Sequence, residues 1–441
     1  MLDSPFRELK NCEIGYKCMD ELALGPFLVD PAAQRLRRGG AEIELRPQAF
    51  RALNVLIKNS GQYVQHEQMI NEAWGGISVS RNTVAVTISE VKKVLQEYGS
   101  WIRCRPKLGY RLEIPKGEDL IRVGWHLWNR RTREGLEKAL ACFQEAATEN
   151  NADFRAFEGI AATYLLLCTY GMRPPRETYS KFLEAHQRAV AIGGLTAGLR
   201  SDRGHGLHIC ERKPGPAEAD LLQALREEPK LGTIYQRLAV LYCTTGRLDD
   251  ALDLVLKGRA ADPLCPVLPS TETFVRLSRR EFEAAVECGK NALNLHPYQH
   301  TGRAHYAQAL EATGQIEEAL AQHRLVCVMS PDLPWLRALE AGSLARNGRP
   351  GEAASILDDL QRIRATEYVD AYYIALLLEA FRRRDAAFEE LERARQESSA
   401  ALSMLDVDPR LDGLRKDPRF KPLQRKLLGA GADRKMASGV K

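Results

Sequence analysis

Apolar positions change their spacing several times along the chain, and each change marks a new element. From Leu22 to Leu45, short alternating stretches are broken by Gly-Pro, Asp-Pro and Gly-Gly, which predicts a small antiparallel sheet. From Arg46 to Gly61 the period lengthens. Phe50, Leu53, Leu56 and Ile57 fall on one face of a helix that Gly61 ends. Gln65–Gly76 reads as a second helix closing on two glycines. Ser80–Tyr98 reads as a third, with Ser80 as N-cap and Val84, Ile88, Val91 and Leu95 toward the core. Its opposite face carries Asn82, Val86, Ser89, Glu90 and Lys93. Ser100–Ile114, "SWIRCRPKLGYRLEI", then alternates about a turn at Pro106–Gly109 and predicts a hairpin with a basic tip.

Beyond residue 195 a 34-residue period takes over. Prolines stand at Pro229, Pro263, Pro297 and Pro331, and alanines at Ala217, Ala251, Ala285, Ala319, Ala353 and Ala387. A third register holds Ala239, Ala307, Ala341 and Ala375, with Thr273 in the gap, and a fourth holds Gly246, Gly314 and Gly348. Small residues let two helices approach, glycine supplies the turn between them, and proline closes the second helix before the next unit. Earlier copies are predicted from Gly124, where Ala139, Phe143 and Ala146 keep a similar spacing, and from Phe154 to about Gly194, with an insertion around "GMRPPRETY". The stretch "DVDPRLDGLRKDPRF" is expected in a C-terminal cap, and residues 429–441 as a disordered tail.

Composition narrows the class. Apolar content of 44% and charged content of 27% are ordinary for a soluble globular protein. Of the net charge of +5, Ser80–Ile114 supplies +4, with seven basic residues against three acidic. Such a concentrated patch points to a phosphate backbone as partner. The ten cysteines form no C-x-x-C pair or Cys/His cluster, so no metal is expected, and buried or half-buried thiols suit a reducing cytosol. Residues 1–21 mix both charges without a hydrophobic core and are expected to be a flexible leader, not a signal peptide. No run approaches 18 apolar residues, so a cytoplasmic location without a membrane partner is expected. No G-x-x-x-x-G-K-[ST] or G-x-S-x-G is present, and His66-Glu67 lacks the second histidine of a zinc motif, with Ile70 in its place. His205 and His208 are expected in packing or at the surface. Neither catalysis nor a cofactor is expected.

The sheet, three helices and hairpin of residues 22–115 resemble the winged helix-turn-helix DNA-binding domain of OmpR/PhoB-type regulators. The likeness rests on "RPQAFRALNVLIKNSGQYV", "AWGG", the third-helix pattern and "LGYRLEI". Residues 120–428 resemble a tetratricopeptide-repeat array with its cap. The expected fold class is therefore multidomain: a small α+β winged helix-turn-helix domain followed by an all-α tetratricopeptide-repeat superhelix.

The first resemblance implies that the third helix enters the major groove. Val86 would then contact a thymine methyl and Glu90 accept from cytosine N4. Asn82, Thr83, Thr87, Ser89 and Lys92 would hold phosphates, with Lys93 on the same outward face. Lys107 at the wing tip would reach the adjacent minor groove, with Arg103 and Arg105 near the backbone. Regulators of this type often carry Arg where this chain has Glu90, so their site sequences do not transfer. The second resemblance implies an inner groove faced by Gln236, Val240, Phe274, Gln308, Trp335 and Tyr372. The groove lacks the Lys/Asn set by which tetratricopeptide co-chaperones clamp a terminal carboxylate, which disfavours a chaperone-tail adaptor.

With no receiver domain expected before residue 22 and no span after the wing, the chain reads as a one-chain transcriptional regulator. The partners it implies are double-stranded promoter DNA, RNA polymerase, a protein, peptide or small ligand in the groove, and a second copy of the chain. The alternative is a tetratricopeptide-repeat interaction scaffold whose winged helix does not bind DNA.

Overall fold

The computed structural model describes residues 22–24, 27–31, 33–38, 41–114 and 116–428; the expected leader and tail lie outside the described residues, as do Cys12 and Cys18. The chain divides into two compact units, Met1–Arg122 and Val123–Lys441.

In the first unit, β1 (Leu22–Leu24), β2 (Phe27–Asp30), β3 (Arg35–Arg38) and β4 (Ala41–Ile43) form an antiparallel sheet in that order. Pairing of Val29 with Leu36 puts both on the buried face with Leu24 and Phe27. α1 (Pro47–Lys58) opens on a proline, which suits the first helical turn, where a missing N–H costs nothing. It stops at Lys58, short of the expected Gly61, with Asn59 as its C-cap. α2 (His66–Trp74) ends where Gly75 takes a left-handed φ of 63°. α3 (Arg81–Val94) starts as expected, the Ser80 hydroxyl accepting the Thr83 N–H at 3.1 Å. It ends earlier than Tyr98, because Gln96–Trp101 winds into a 3-10 turn. There Tyr98 meets Phe27 and Trp101 edge-on, at ring centroid distances of 5.9 and 5.0 Å. β5 (Ile102–Arg105) and β6 (Gly109–Leu112) close the hairpin, with Ile102 opposite Leu112. Phe50, Leu53 and Leu56 of α1 share one core with Val84, Ile88 and Val91 of α3 and with that Ile102–Leu112 pair. Each such side chain withdrawn from water contributes about 1.5–3 kcal/mol.

The second unit begins within α4 (Lys116–Asn129) and is built of helix pairs: α4 with α5 (Arg133–Glu149), α6 (Phe154–Thr169) with α7 (Pro175–Gly193), α8 (Ala197–Ile209) with α9 (Pro214–Glu227), and α10 (Gly232–Thr244) with α11 (Leu248–Ala261). There follow α12 (Leu268–Ser278) with α13 (Phe282–Leu295), α14 (His300–Ala312) with α15 (Ile316–Met329), α16 (Pro334–Arg346) with α17 (Pro350–Arg364), and α18 (Ala371–Ala380) with α19 (Arg384–Glu397). The periodic alanines and Thr273 are wholly buried where helices cross. Each periodic proline follows two residues behind the end of a second helix. Gly246, Gly314 and Gly348 turn the chain with φ of 84°, 80° and 78°. The same turn position holds Arg131, Arg212, Arg280 and Arg382 in other pairs, also at positive φ.

This array closes on itself. The Tyr170 ring at the end of α6 lies 5.1 Å from His300 of α14. Arg133 of α5 pairs with Glu367 at 3.4 Å and Asp332 at 4.0 Å. After a 3-10 turn at Ala400–Met404, the "DVDPRLDGLRKDPRF" stretch runs through a second, Pro409–Leu411, and α20 (Asp412–Arg415) to the start of α21 (Phe420–Leu428). Both Asp-Pro-Arg triplets make the same turn, Asp408 and Asp417 each accepting the arginine N–H two residues on at 3.0 Å. The segment folds back along the first helices. Arg212 donates to the Ser399 carbonyl at 2.9 Å and Arg280 to that of Val407 at 3.0 Å.

No helix among the described residues is long and apolar enough to cross a membrane. Cys104 departs from the expected buried or half-buried thiols: it is exposed, because the hairpin projects from the core.

Candidate functional site

Helical spacing sorts α3 into two faces. Val84, Thr87, Ile88 and Val91 are buried, while Asn82, Thr83, Val86, Ser89 and Lys93 are exposed, Val86 by 54%. Lys92 is half-buried at the boundary. Two residues of the sequence-based set need correction. Thr87 faces inward, and its hydroxyl donates to the Thr83 carbonyl at 2.9 Å, so it has nothing to offer a phosphate. Glu90 is taken up by Arg46, whose Nε donates to its carboxylate at 2.7 Å. That hydrogen bond holds the Glu90 carboxyl below the usual carboxylate range and raises the Arg46 guanidinium. Glu90 is thus a partner of Arg46 before it can be a reader of cytosine. Arg81, exposed in the first turn of α3, belongs to the basic patch read from the sequence but was given no contact of its own. Its signal lay in the sequence, immediately behind the capping serine.

The hairpin is pinned at its base. Val64, between α1 and α2, exchanges backbone hydrogen bonds with Tyr110 at 2.7 and 3.1 Å, and the Gly61 N–H reaches the Leu112 carbonyl at 2.9 Å. Gly109 sits at φ 99° where an added Cβ would stand 2.1 Å from the Val64 carbonyl oxygen. Only glycine lets the two backbones approach this closely. Arg103, Arg105 and Lys107 are exposed, Lys107 at the tip with φ 69°. Glu113 pairs with Arg111 and, at 3.4 Å, with Arg103. Arg111 also lies over the Tyr63 ring at 4.9 Å. Among the described residues no carboxylate pairs with Arg81, Lys93, Arg105 or Lys107. The first unit therefore presents a short-chained polar helical face and a basic finger whose charge its own acids do not cancel.

The second unit holds a cavity of ≈ 200 Å³ lined chiefly by the first helices of the pairs. Gln236, Val240, Phe274, Gln308 and Trp335 line it. Tyr372 does not. It is wholly buried, and its hydroxyl donates to Asp408 at 3.0 Å, because the returning C-terminal segment covers that part of the inner surface. Its neighbour Tyr373 lines the cavity instead, stacked on Trp335 with centroids 5.1 Å apart. His205 and His305 also line it, and burial holds His305 down to about 4 and His205 well below the usual imidazole value. Both are neutral at pH 7. Among the described residues no cluster of His, Cys, Asp and Glu could hold a metal ion.

Comparison with known proteins bears on both units. The family "Transcriptional regulatory protein, C terminal" matches residues 40–112. The chain is similar to the transcriptional activator CadC of Escherichia coli (strain K12), 28% identical over 96 residues, which are 21% of this chain and 19% of CadC. It is similar also to the transcriptional regulatory protein CutR of Streptomyces coelicolor, 32% identical over 85 residues, 19% of this chain and 39% of CutR. The chain thus spans a fifth to two fifths of the length of these relatives. In fold it is similar to the solved structure of the human IFIT1 dimer with m7Gppp-AAAA, at a TM-score of 0.51 and 14% identity, over 80% of this chain and 95% of that one. At that identity the likeness is one of architecture alone. Residues 40–112 are an OmpR/PhoB-type winged-helix domain of the transcriptional regulatory protein C-terminal family, and the helix pairs that follow them form a tetratricopeptide-like superhelix.

Proposed function

We propose that the chain is a sequence-specific DNA-binding regulator of transcription whose repeat unit receives a regulatory partner. One observation carries this: Asn82, Val86, Ser89 and Lys93 are exposed on α3 beside an uncancelled basic finger bearing Arg105 and Lys107. In the major groove Val86 would meet a thymine methyl, and Asn82 and Ser89 would hold phosphates or base edges. Arg81 and Lys93 would lie along the backbone, and Lys107 would enter the adjacent minor groove. Double-stranded promoter DNA is the primary partner. RNA polymerase and a second copy of the chain are the protein partners such a regulator would use.

Titration of duplex DNA by fluorescence anisotropy at several salt concentrations tests this. Lys93→Ala with Lys107→Ala is expected to weaken binding to every duplex and to flatten the salt dependence by about two units of slope, at roughly 0.9 per phosphate contact. Val86→Ser is expected to change the preferred sequence with little effect on that slope. Unchanged affinity of the double variant would sink the docking. Absence of any DNA binding would favour the interaction-scaffold alternative.

A further inference from the structure

The cavity in the repeat unit has a lopsided lining. Three arginines and two histidines face it, and none of its lining residues is acidic. Two of the arginines are already neutralised from behind. Arg237 reaches Asp202 at 2.5 Å and Ser201 at 2.7 Å, and Arg410 reaches Asp408 at 2.9 and 2.7 Å. Arg131 has no such partner. No carboxylate pairs with it among the described residues, its Nε is buried without a hydrogen bond, and its guanidinium lies over the Trp128 ring at 3.7 Å. Burial lowers its pKa and the charge of Arg237 adds to the effect, while the Tyr170 hydroxyl, its side-chain hydrogen-bond partner, opposes it without neutralising the charge. It nevertheless keeps some accessible surface, which opens onto the cavity that it lines. Further polar atoms around the lining lack partners in the same way: Nδ1 of His205 and of His305, and Nε1 of Trp128 and of Trp335. A buried cation is ordinarily paired, and a buried donor ordinarily satisfied.

The rest of the wall is aromatic. Trp335 stacks on Tyr373, and Phe274 stacks on His305 at 5.4 Å. Size sets the scale of the occupant, since an apolar cavity of about 150 Å³ holds benzene. A space of ≈ 200 Å³ holds one ring and a small polar group. One guanidinium without a carboxylate partner matches one carboxylate, through two parallel N–H···O bonds. A triphosphate carries more charge than a single arginine without a carboxylate partner answers.

We infer that this cavity is the binding site for a single-ring aryl carboxylate, its carboxylate held by Arg131 and its ring by the Trp335–Tyr373 stack. The assignment rests on the proposed regulator, in which this acid is the signal that the repeat unit reads.

The test uses the full chain, with benzoate and phenylacetate as probes and benzamide as the neutral isostere of benzoate. Calorimetry is read beside tryptophan fluorescence, to which Trp128 and Trp335 at the cavity contribute. At least one acid is expected to bind saturably, with benzamide weaker by on the order of tenfold or more, as loss of a charge-assisted pair implies. Arg131→Gln is expected to abolish that preference and Arg131→Lys to retain part of it, with helical circular dichroism unchanged. Benzamide binding as tightly as the better of the two acids in the wild-type chain overturns the proposal whatever the variants do. So does failure of both acids to saturate at millimolar concentration, or a free-carboxyl hexapeptide binding more tightly than either acid. A duplex-DNA titration on the same preparation separates the two ideas. DNA binding without acid binding removes the ligand alone, and acid binding without DNA binding removes the regulator alone.

Discussion

Gly109 and Glu90 show how single positions set the surface proposed to meet DNA. A side chain at Gly109 meets both a positive φ and the Val64 carbonyl oxygen, so Gly109→Ala is expected to destabilise the first unit by about 1–3 kcal/mol. Thermal unfolding checks this, and DNA affinity should fall with it, because the hairpin loses its anchor. Glu90 now occupies Arg46, so Glu90→Ala is expected to free a cation beside the α3 face. DNA affinity should rise, and the salt slope steepen by about one unit. An unchanged slope would mean that Arg46 never reaches the duplex. The sign of the Glu90 linkage also follows. Its carboxyl is held low, so the pair's contribution is present above the ordinary carboxylate pKa and is lost as acid protonates it. At this exposure the contribution is small. Thr87 was legible in the sequence. It stands three residues after Val84 and four before Val91, on the buried stripe, and only its hydroxyl suggested otherwise. The Arg46–Glu90 pair was not legible, since 44 residues separate its members and no local spacing joins them.

Among elements, the helix pairs were the easiest to read, because one small residue per helix recurs at each crossing and burial forces it to stay small. The same logic extends upstream, where the pattern was weaker. Gly124 of α4 and Gly159 of α6 both face the Phe143 ring of α5, and an added Cβ would approach that ring to 2.6 and 2.4 Å. Gly159→Ala is therefore expected to cost about 1–3 kcal/mol through overpacking, read as a lowered Tm of the repeat unit. Tyr372 misled for a different reason. Its place in α18 matches that of Gln236 in α10, three residues before the small crossing residue, yet the C-terminal segment lies over it and Asp408 takes its hydroxyl. A local repeat cannot announce which distant stretch will cover it. Arg131 was visible but unweighted: it stands at a turn position that other pairs fill with either glycine or arginine.

For the whole repeat unit, acid is the condition that the buried imidazoles resist least. His208, His300, His305 and His323 are each held down to about 4 by burial. Their unfolded counterparts take protons near 6.5, so the stability they confer is full above that pH and is lost progressively as the pH falls toward 4. Glu158, pushed up to about 7 by burial, works the other way over part of this range. His300→Gln is expected to move the acid-unfolding midpoint of the repeat helices to lower pH, followed by circular dichroism. No shift would mean that His300 gains a proton without leaving its place between Tyr170 and Trp335. Open solenoids melt from their termini inward, each unit leaning only on its neighbours. Because Arg133 reaches Asp332 and Glu367, the earliest pair of this one leans on a distant turn as well as on its neighbour, and its margin is that much less free to peel alone.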